Sequence, residues 1–159
     1  MAVLEVFKKH NVYVSSVCWD AGQIRTARCF QEMGLLPLDT LWEFVFTGEV
    51  MPAGAAPTIS GLQAFITEVP ANNQWLVLCW NGDVMQVASW AITLGGHVGI
   101  GLGDYHYARF GKPHHGELVA MVAKMAHTLD REVATPTQAR DILKLPPRTQ
   151  LPTKSVALI

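Results

Sequence analysis

Four short runs rich in β-branched and aromatic residues, each followed by a stretch with helical periodicity, constrain this chain more than any other feature. They recur about every 30 residues, the spacing of parallel strand–helix units. The first strand is expected over residues 12–19, and a helix over 23–33 follows it. There Ile24, Ala27, Phe30 and Met33 recur at helical spacing, and Gly34 stands where a C-cap belongs. The second strand, 41–46, is stopped by Thr47-Gly48. A loop with Pro52, Gly54 and Pro57 leads to a helix capped by Thr58 or Ser60, whose stripe is Leu62, Phe65, Ile66 and Val69. The third strand, 75–80, is almost continuously apolar, as expected when both faces are buried.

Asn81-Gly-Asp83 then turns the chain into a helix over 84–94, ended by Gly95-Gly96. A glycine-rich fourth strand, 97–103, precedes the loop Asp104-Tyr-His-Tyr. The longest helix runs over 115–129, with Leu118, Val119, Val122, Met125 and Ala126 on one face. A last helix over 137–145 has Thr135 as N-cap and Pro136 at its first position. The tail 146–159 holds three prolines and is expected to lie extended. The organisation is one domain, 1–145, with that tail. Its class is α/β, parallel βα units making half of a (β/α)8 TIM-like barrel, with an open doubly wound sheet as the alternative.

Charge narrows the partners. Twelve Lys and Arg against 13 Asp and Glu give no electrostatic argument for nucleic acid or an anionic membrane. No apolar run approaches the ~20 residues that span a bilayer. The first ten residues do not read as a signal peptide, because Glu5 interrupts a short apolar run and the lysines come after it. Three cysteines without a CxxC fit a reducing cytoplasm and semi-buried thiols. Charged residues are only 16% of the chain, against ~25% in a typical domain, while apolar residues reach 50%. That excludes disorder and points to apolar surface facing another chain.

In parallel βα folds chemistry collects at the C-terminal ends of the strands. Those ends are Trp19-Asp20, Phe46-Thr47-Gly48-Glu49, Trp80-Asn81-Gly82-Asp83 and Gly103-Asp104-Tyr105-His106-Tyr107. Asp104 and His106, two residues apart, have the chemistry to share a metal or to act as base and partner. The plainer reading makes Asp104 a turn cap and His106 an exposed loop residue. Thr47, Asn81 and His106 are the candidate substrate contacts. Gly99, Gly101 and Gly103 lie inside the fourth strand and lack a following GKS/T, so they read as space for something packed close rather than as a phosphate loop. Cys79 with His97 is a weak nucleophile pair. His114-His115 reads as a helix cap, and Trp42, Trp75 and Trp80 read as core.

The run Ala91-Ile-Thr-Leu-Gly-Gly-His97-Val-Gly-Ile-Gly-Leu-Gly-Asp104 resembles the last-strand signature A-x-x-x-G-G-H-V-R-V-G-L-E-D-N of the β-keto acid cleavage enzymes. Gly116-Glu-Leu-Val119 and Asp130-Arg-Glu-Val-Ala-Thr-Pro-Thr-Gln-Ala-Arg140 resemble that family's N-A-E-L-V and G-R-x-x-A-T-P-x-E-A-R segments. Asp20-Ala-Gly, Met33-Gly-Leu-Leu and Phe46-Thr-Gly48 follow the same order. The resemblance implies a zinc-dependent (β/α)8 barrel that converts a β-keto acid and acetyl-CoA to acetoacetate and a new CoA thioester. It also implies a zinc held by an early H-x-H strand and by the Glu of G-L-E-D, with the next Asp as base and the Arg of H-V-R assisting.

This sequence departs from that pattern in what it covers and in the residues it keeps. It matches only the C-terminal half, without the H-x-H strand. Gly103 stands at the ligand Glu and Gly99 at the Arg, while Ser15 and Val17 replace an acidic pair. Asp104 alone keeps a catalytic position, so a zinc site of family type is not expected within one chain. Two unpaired sheet edges predict association with a second copy or with a separate N-terminal half. Two functions follow: part of a keto acid cleavage-like transferase with Asp104 as base, or a non-catalytic, degenerate half-barrel that binds a ligand or partner.

Overall fold

The computed structural model describes residues 2–48, 50–51 and 53–147. Glu49, Pro52 and most of the proline-containing tail therefore lie outside the described residues. Helix α1 (Ala2–Lys9) leads to β1 (Ser15–Cys18), α2 (Ala21–Glu32), β2 (Leu41–Thr47), α3 (Ile59–Glu68) and β3 (Trp75–Trp80). Then come α4 (Met85–Thr93), β4 (His97–Val98), a single 3-10 turn (Ala108–Phe110), α5 (His115–Thr128) and α6 (Pro136–Ile142). All strands are parallel and the sheet order is β1-β2-β3-β4. Four strands alternating with helices in this order are a partial TIM barrel.

Local chemistry sets the element boundaries. Asp20 accepts a hydrogen bond from the Gln23 amide at 2.9 Å and starts α2. Thr58 does the same for Gly61 at 3.1 Å, opening α3. Thr135 and Gln138 form a reciprocal capping box on α6, with Pro136 in its first turn. At the other end of a helix, the Arg131 guanidinium donates to the carbonyls of Ile92 (2.8 Å), Gly96 (2.6 Å) and Gly95 (3.1 Å). It thereby satisfies the carbonyls that the C-terminus of α4 leaves unpaired.

The core lies between the sheet and its helices. Trp42, Phe44 and Phe46 of β2 and Trp75, Val77 and Cys79 of β3 point to one face, where Ile24, Leu62, Phe65, Val87, Ala91 and Leu118 cover them. Phe44 stacks on Phe65 at 4.9 Å and on Trp75 at 5.4 Å between ring centroids. Alternation sends Val17, Glu43, Val45, Leu76, Leu78 and Trp80 to the opposite face, which no helix covers among the described residues, although Val45 is buried there. There Val17 is 51% exposed and Trp80 41% exposed, while Leu76, Leu78 and Glu43 are half-buried.

Several expectations need correction. The first strand is Ser15–Cys18 rather than 12–19, because Ser15 already pairs with Leu41 and the turn before Leu41 offers residues 12–14 no ladder. The fourth ends at Val98 rather than at 103. After the Gly99 amide bonds the Val77 carbonyl, residues 102–104 form a turn, since three glycines give a strand no side chains to pack. β3 is buried on one face only: Leu76 and Leu78 are half-buried and Trp80 is exposed on the other. Trp80 is accordingly exposed and meets Trp19 edge-on at 6.2 Å, and the Cys29 thiol is exposed where a semi-buried one was expected. Residues 2–9, which carried no assignment, form α1. No helix among the described residues is long and apolar enough to cross a membrane.

Two glycines make opposite predictions. A Cβ at Gly96 would lie 2.1 Å from the Trp75 ring, whereas at Gly103 it would meet nothing within 4 Å. Gly96→Ala is expected to destabilise by about 2 kcal/mol through overpacking. Gly103→Ala is expected to stay within about 0.5 kcal/mol of the parent. Urea titration followed by Trp fluorescence compares the two.

Candidate functional site

The C-terminal ends of β2 and β3 approach so closely that only glycine fits between them. A Cβ on Gly48 would lie 2.0 Å from the Asn81 carbonyl oxygen, and one on Gly82 would lie 2.8 Å from the Cys79 sulfur. The Gly48 amide bonds the Trp80 carbonyl at 3.1 Å, and the Asn81 amide bonds the Asp104 carbonyl at 2.8 Å. Backbone ladders thus carry on past the strands and hold three successive loops side by side. Asn81 adopts a left-handed conformation there, with φ of 55°.

Above these loops lies an open cleft of about 780 Å³. Thr47, Asn81, Asp83, Gln86, Tyr105 and His106 supply its polar and aromatic lining. The structure therefore brings Thr47, Asn81 and His106 together in one cavity. Thr47 is buried, and its hydroxyl donates to the Ala53 carbonyl at 2.7 Å, so it faces a ligand as an acceptor. His106 Nδ1 accepts from the Ala108 amide at 3.0 Å, which leaves Nε2 to carry the proton of the neutral ring. Its imidazole stacks on Tyr105 at 4.3 Å.

Asp104 sits one residue behind the cleft lining. Its carbonyl holds Asn81, while its carboxylate lies beside Gly101, 3.9 Å from where a Cβ would stand. Desolvation raises its pKa above the ordinary 3.8 of a carboxyl. Two further groups sit close by. Burial pushes the Cys79 thiol up to about 11, helped by the charges of Asp83 and Asp104. Burial likewise pushes Tyr107 up to about 12, against a hydrogen bond from the Val84 backbone. The Cys79 thiol and the Tyr107 hydroxyl are therefore neutral at physiological pH, and both belong to the hydrophobic core beside these loops.

Two residues outside the expected set organise the loops. Arg109 forms an ion pair with Asp83 and lies over the Phe110 ring at 4.2 Å, so it ties the β3–α4 loop to the segment after β4. Asp83 also caps α4 through the Met85 amide at 2.8 Å. Asp83 was legible as a strand-end residue; Arg109, inside a 3-10 turn, carried no signal. The Cys79–His97 pairing does not occur. His97 is level with Leu76 on β4 and hydrogen-bonds Gln74 at 2.8 Å, while Cys79 is level with Phe46. Burial, and then Arg131, lower the His97 pKa below 6.5. His114 does cap α5, its amide held by Glu117 at 2.6 Å.

Among the described residues no three His, Cys, Asp or Glu side chains converge as a metal-binding set. Gly103 offers no donor where the resemblance implies a ligand, and nothing packs against it. The residues present do not make a zinc site by themselves. Gly99, Gly101 and Gly103 lie beyond β4 rather than inside it: a Cβ at Gly99 meets Leu76 and Leu78 at an ordinary 3.5 Å, and Gly101 borders His115.

Parallel βα units with a cleft at their strand ends define the class, a partial TIM barrel. The model of the beta-keto acid cleavage enzyme family matches residues 1–145, and the chain belongs to that family. It is 35% identical over 130 residues to the 3-keto-5-aminohexanoate cleavage enzyme of Fusobacterium nucleatum, a match covering 80% of this chain and 46% of that protein. It is 36% identical over 92 residues to the enzyme of the same name from Acetoanaerobium sticklandii, covering 57% of this chain and 34% of that protein. The chain thus spans less than half the length of these curated relatives.

The Asp104 shift has a stability consequence. A carboxyl whose pKa is raised on folding favours the fold while protonated, and loses that contribution as pH rises through the folded pKa. Asp104→Asn is therefore expected to raise Tm at pH 7, and the gain is expected to vanish at about pH 3, below the unfolded value. Thermal melts at both pH values check this.

Proposed function

We propose that the chain carries the C-terminal half of a β-keto acid-cleaving site, in which a keto acid and acetyl-CoA yield acetoacetate and a new acyl-CoA. Asp104 is the base. The carbon between the ketone and the carboxylate of a β-keto acid is its acidic position, and a carboxylate with a raised pKa holds a proton taken from it better than an ordinary one. His106 Nε2–H and Asn81 bind oxygens of the acid in the cleft, and Thr47 shapes the cleft wall. The observation that carries this reading is Asp104 itself, one residue behind the cleft lining, held by its backbone to Asn81 and partly desolvated. The family's zinc has no donor set among the described residues, so no step is assigned to it.

A second reading has its own observation. Neither Gly99 nor Gly103 is demanded by backbone or packing, so the missing Arg and Glu are losses the fold did not require. On that basis the chain is a non-catalytic relative that binds a ligand or a partner.

One chimaera separates the two. This chain takes the place of the residues it matches in the Fusobacterium nucleatum protein, and acetoacetate release from 3-keto-5-aminohexanoate and acetyl-CoA is measured. The catalytic reading expects turnover, lowered at least about a hundredfold by Asp104→Asn with the circular dichroism unchanged. A folded chimaera without turnover, or one indifferent to Asp104→Asn, overturns it in favour of the second reading.

A further inference from the structure

The single 3-10 turn after β4, Ala108–Phe110, holds two residues of the cleft lining at once. The Ala108 amide donates to His106 Nδ1 at 3.0 Å, and Arg109 Nε forms the ion pair with Asp83 Oδ2. Left-handed residues bracket the turn, Tyr107 with φ of 50° and Gly111 with φ of 78°. Tyr107 is buried and stacks on Phe110, and the Arg109 guanidinium lies over that same ring at 4.2 Å. Backbone and side chains therefore fix where the guanidinium stands before any ligand arrives.

Among the described residues that line the cleft, with His106 neutral, Asp83 alone carries a formal charge. Both of its oxygens are engaged. Oδ1 accepts from the Met85 amide at 2.8 Å at the start of α4, and Oδ2 faces Arg109. A carboxylate held in this way is a poor base and a poor metal ligand, because its lone pairs already have partners. Its charge still matters. A carboxylate in the wall repels an anion, and more strongly where protein rather than water surrounds the pair. With Arg109 in place the wall is an ion pair of no net charge. Without it, the cleft meets an incoming acid with a bare, half-buried carboxylate.

We propose that Arg109 sets the charge selectivity of the cleft: by neutralising Asp83 it lets the cleft take a small oxo acid as its anion. Arg109 is thus a positioning residue that acts through Asp83, and it needs no contact of its own with the acid. The ligand class rests on the function proposed above, since a β-keto acid is an anion at neutral pH; the charge arrangement does not rest on turnover. A tie that served only to join the loops would treat charged and uncharged ligands alike. Selectivity by charge treats them differently.

Two probes of similar shape separate charge from structure: acetoacetate, an anion, and its methyl ester, which is neutral. Binding of each to the chain is followed by NMR titration of the backbone amides, with circular dichroism as the folding control. Arg109→Ala is expected to weaken acetoacetate at least about tenfold and the methyl ester less than about twofold. Adding Asp83→Asn to Arg109→Ala is expected to restore acetoacetate binding, because Asn removes the charge and keeps an oxygen for the Met85 amide. If Arg109→Ala does not fold, Arg109→Gln keeps the stem over Phe110 and carries the same expectation. Equal loss of both probes, a loss that Asp83→Asn does not repair, or acetoacetate binding that Arg109→Ala leaves unchanged overturns the proposal. A wild-type chain that fails to bind acetoacetate overturns it together with the oxo acid reading of the cleft. Charge-dependent binding beside an inactive chimaera supports this proposal and removes only the catalytic reading.

Discussion

The β2–β3 ladder carries the rest of the structure. Its register runs from Trp42 beside Trp75 to Thr47 beside Trp80, and the stack of Phe65, Phe44 and Trp75 fills the helix side of that pairing. Once the register is set, alternation fixes every neighbouring side chain. A slip of one residue would turn Trp42, Phe44 and Phe46 to the bare face and bring Glu43 into the helix-packed core. The same register brings Gly48 against Asn81 and Gly82 at the top of the sheet. Cleft and core are therefore two ends of one alignment.

One side of that sheet is packed like a finished domain and the other is not. The helix face holds buried aromatics, while the opposite face leaves Val17 and Trp80 about half exposed with a carboxylate between them. Membership of the beta-keto acid cleavage enzyme family and a match to less than half of its curated relatives give the same picture from a different direction.

Much of the site could be read from residue order, because parallel βα units direct function to strand ends whatever the rest of the sequence does. Thr47, Asn81 and His106 reached the cleft by that rule alone. The orientation of Asp104 did not follow from it, since the glycines after Val98 replace a strand with a turn and set the carboxylate behind the lining. The Arg109–Asp83 tie was also hidden. An ion pair between a loop and a 3-10 turn depends on how two segments settle after folding and leaves no periodic trace.

The sequence by itself determined the alternation of strands and helices, the parallel sheet, the strand-end location of the site and the family frame. Each follows from periodicities of two and 3.6 and from short motifs, which are local properties. Tertiary structure alone decided that β4 stops at Val98, that Trp80 stands open beside Trp19, and that Glu43 forms no ion pair among the described residues. Those outcomes depend on which strands are present to pair and cover, and no local pattern encodes the presence of a neighbour.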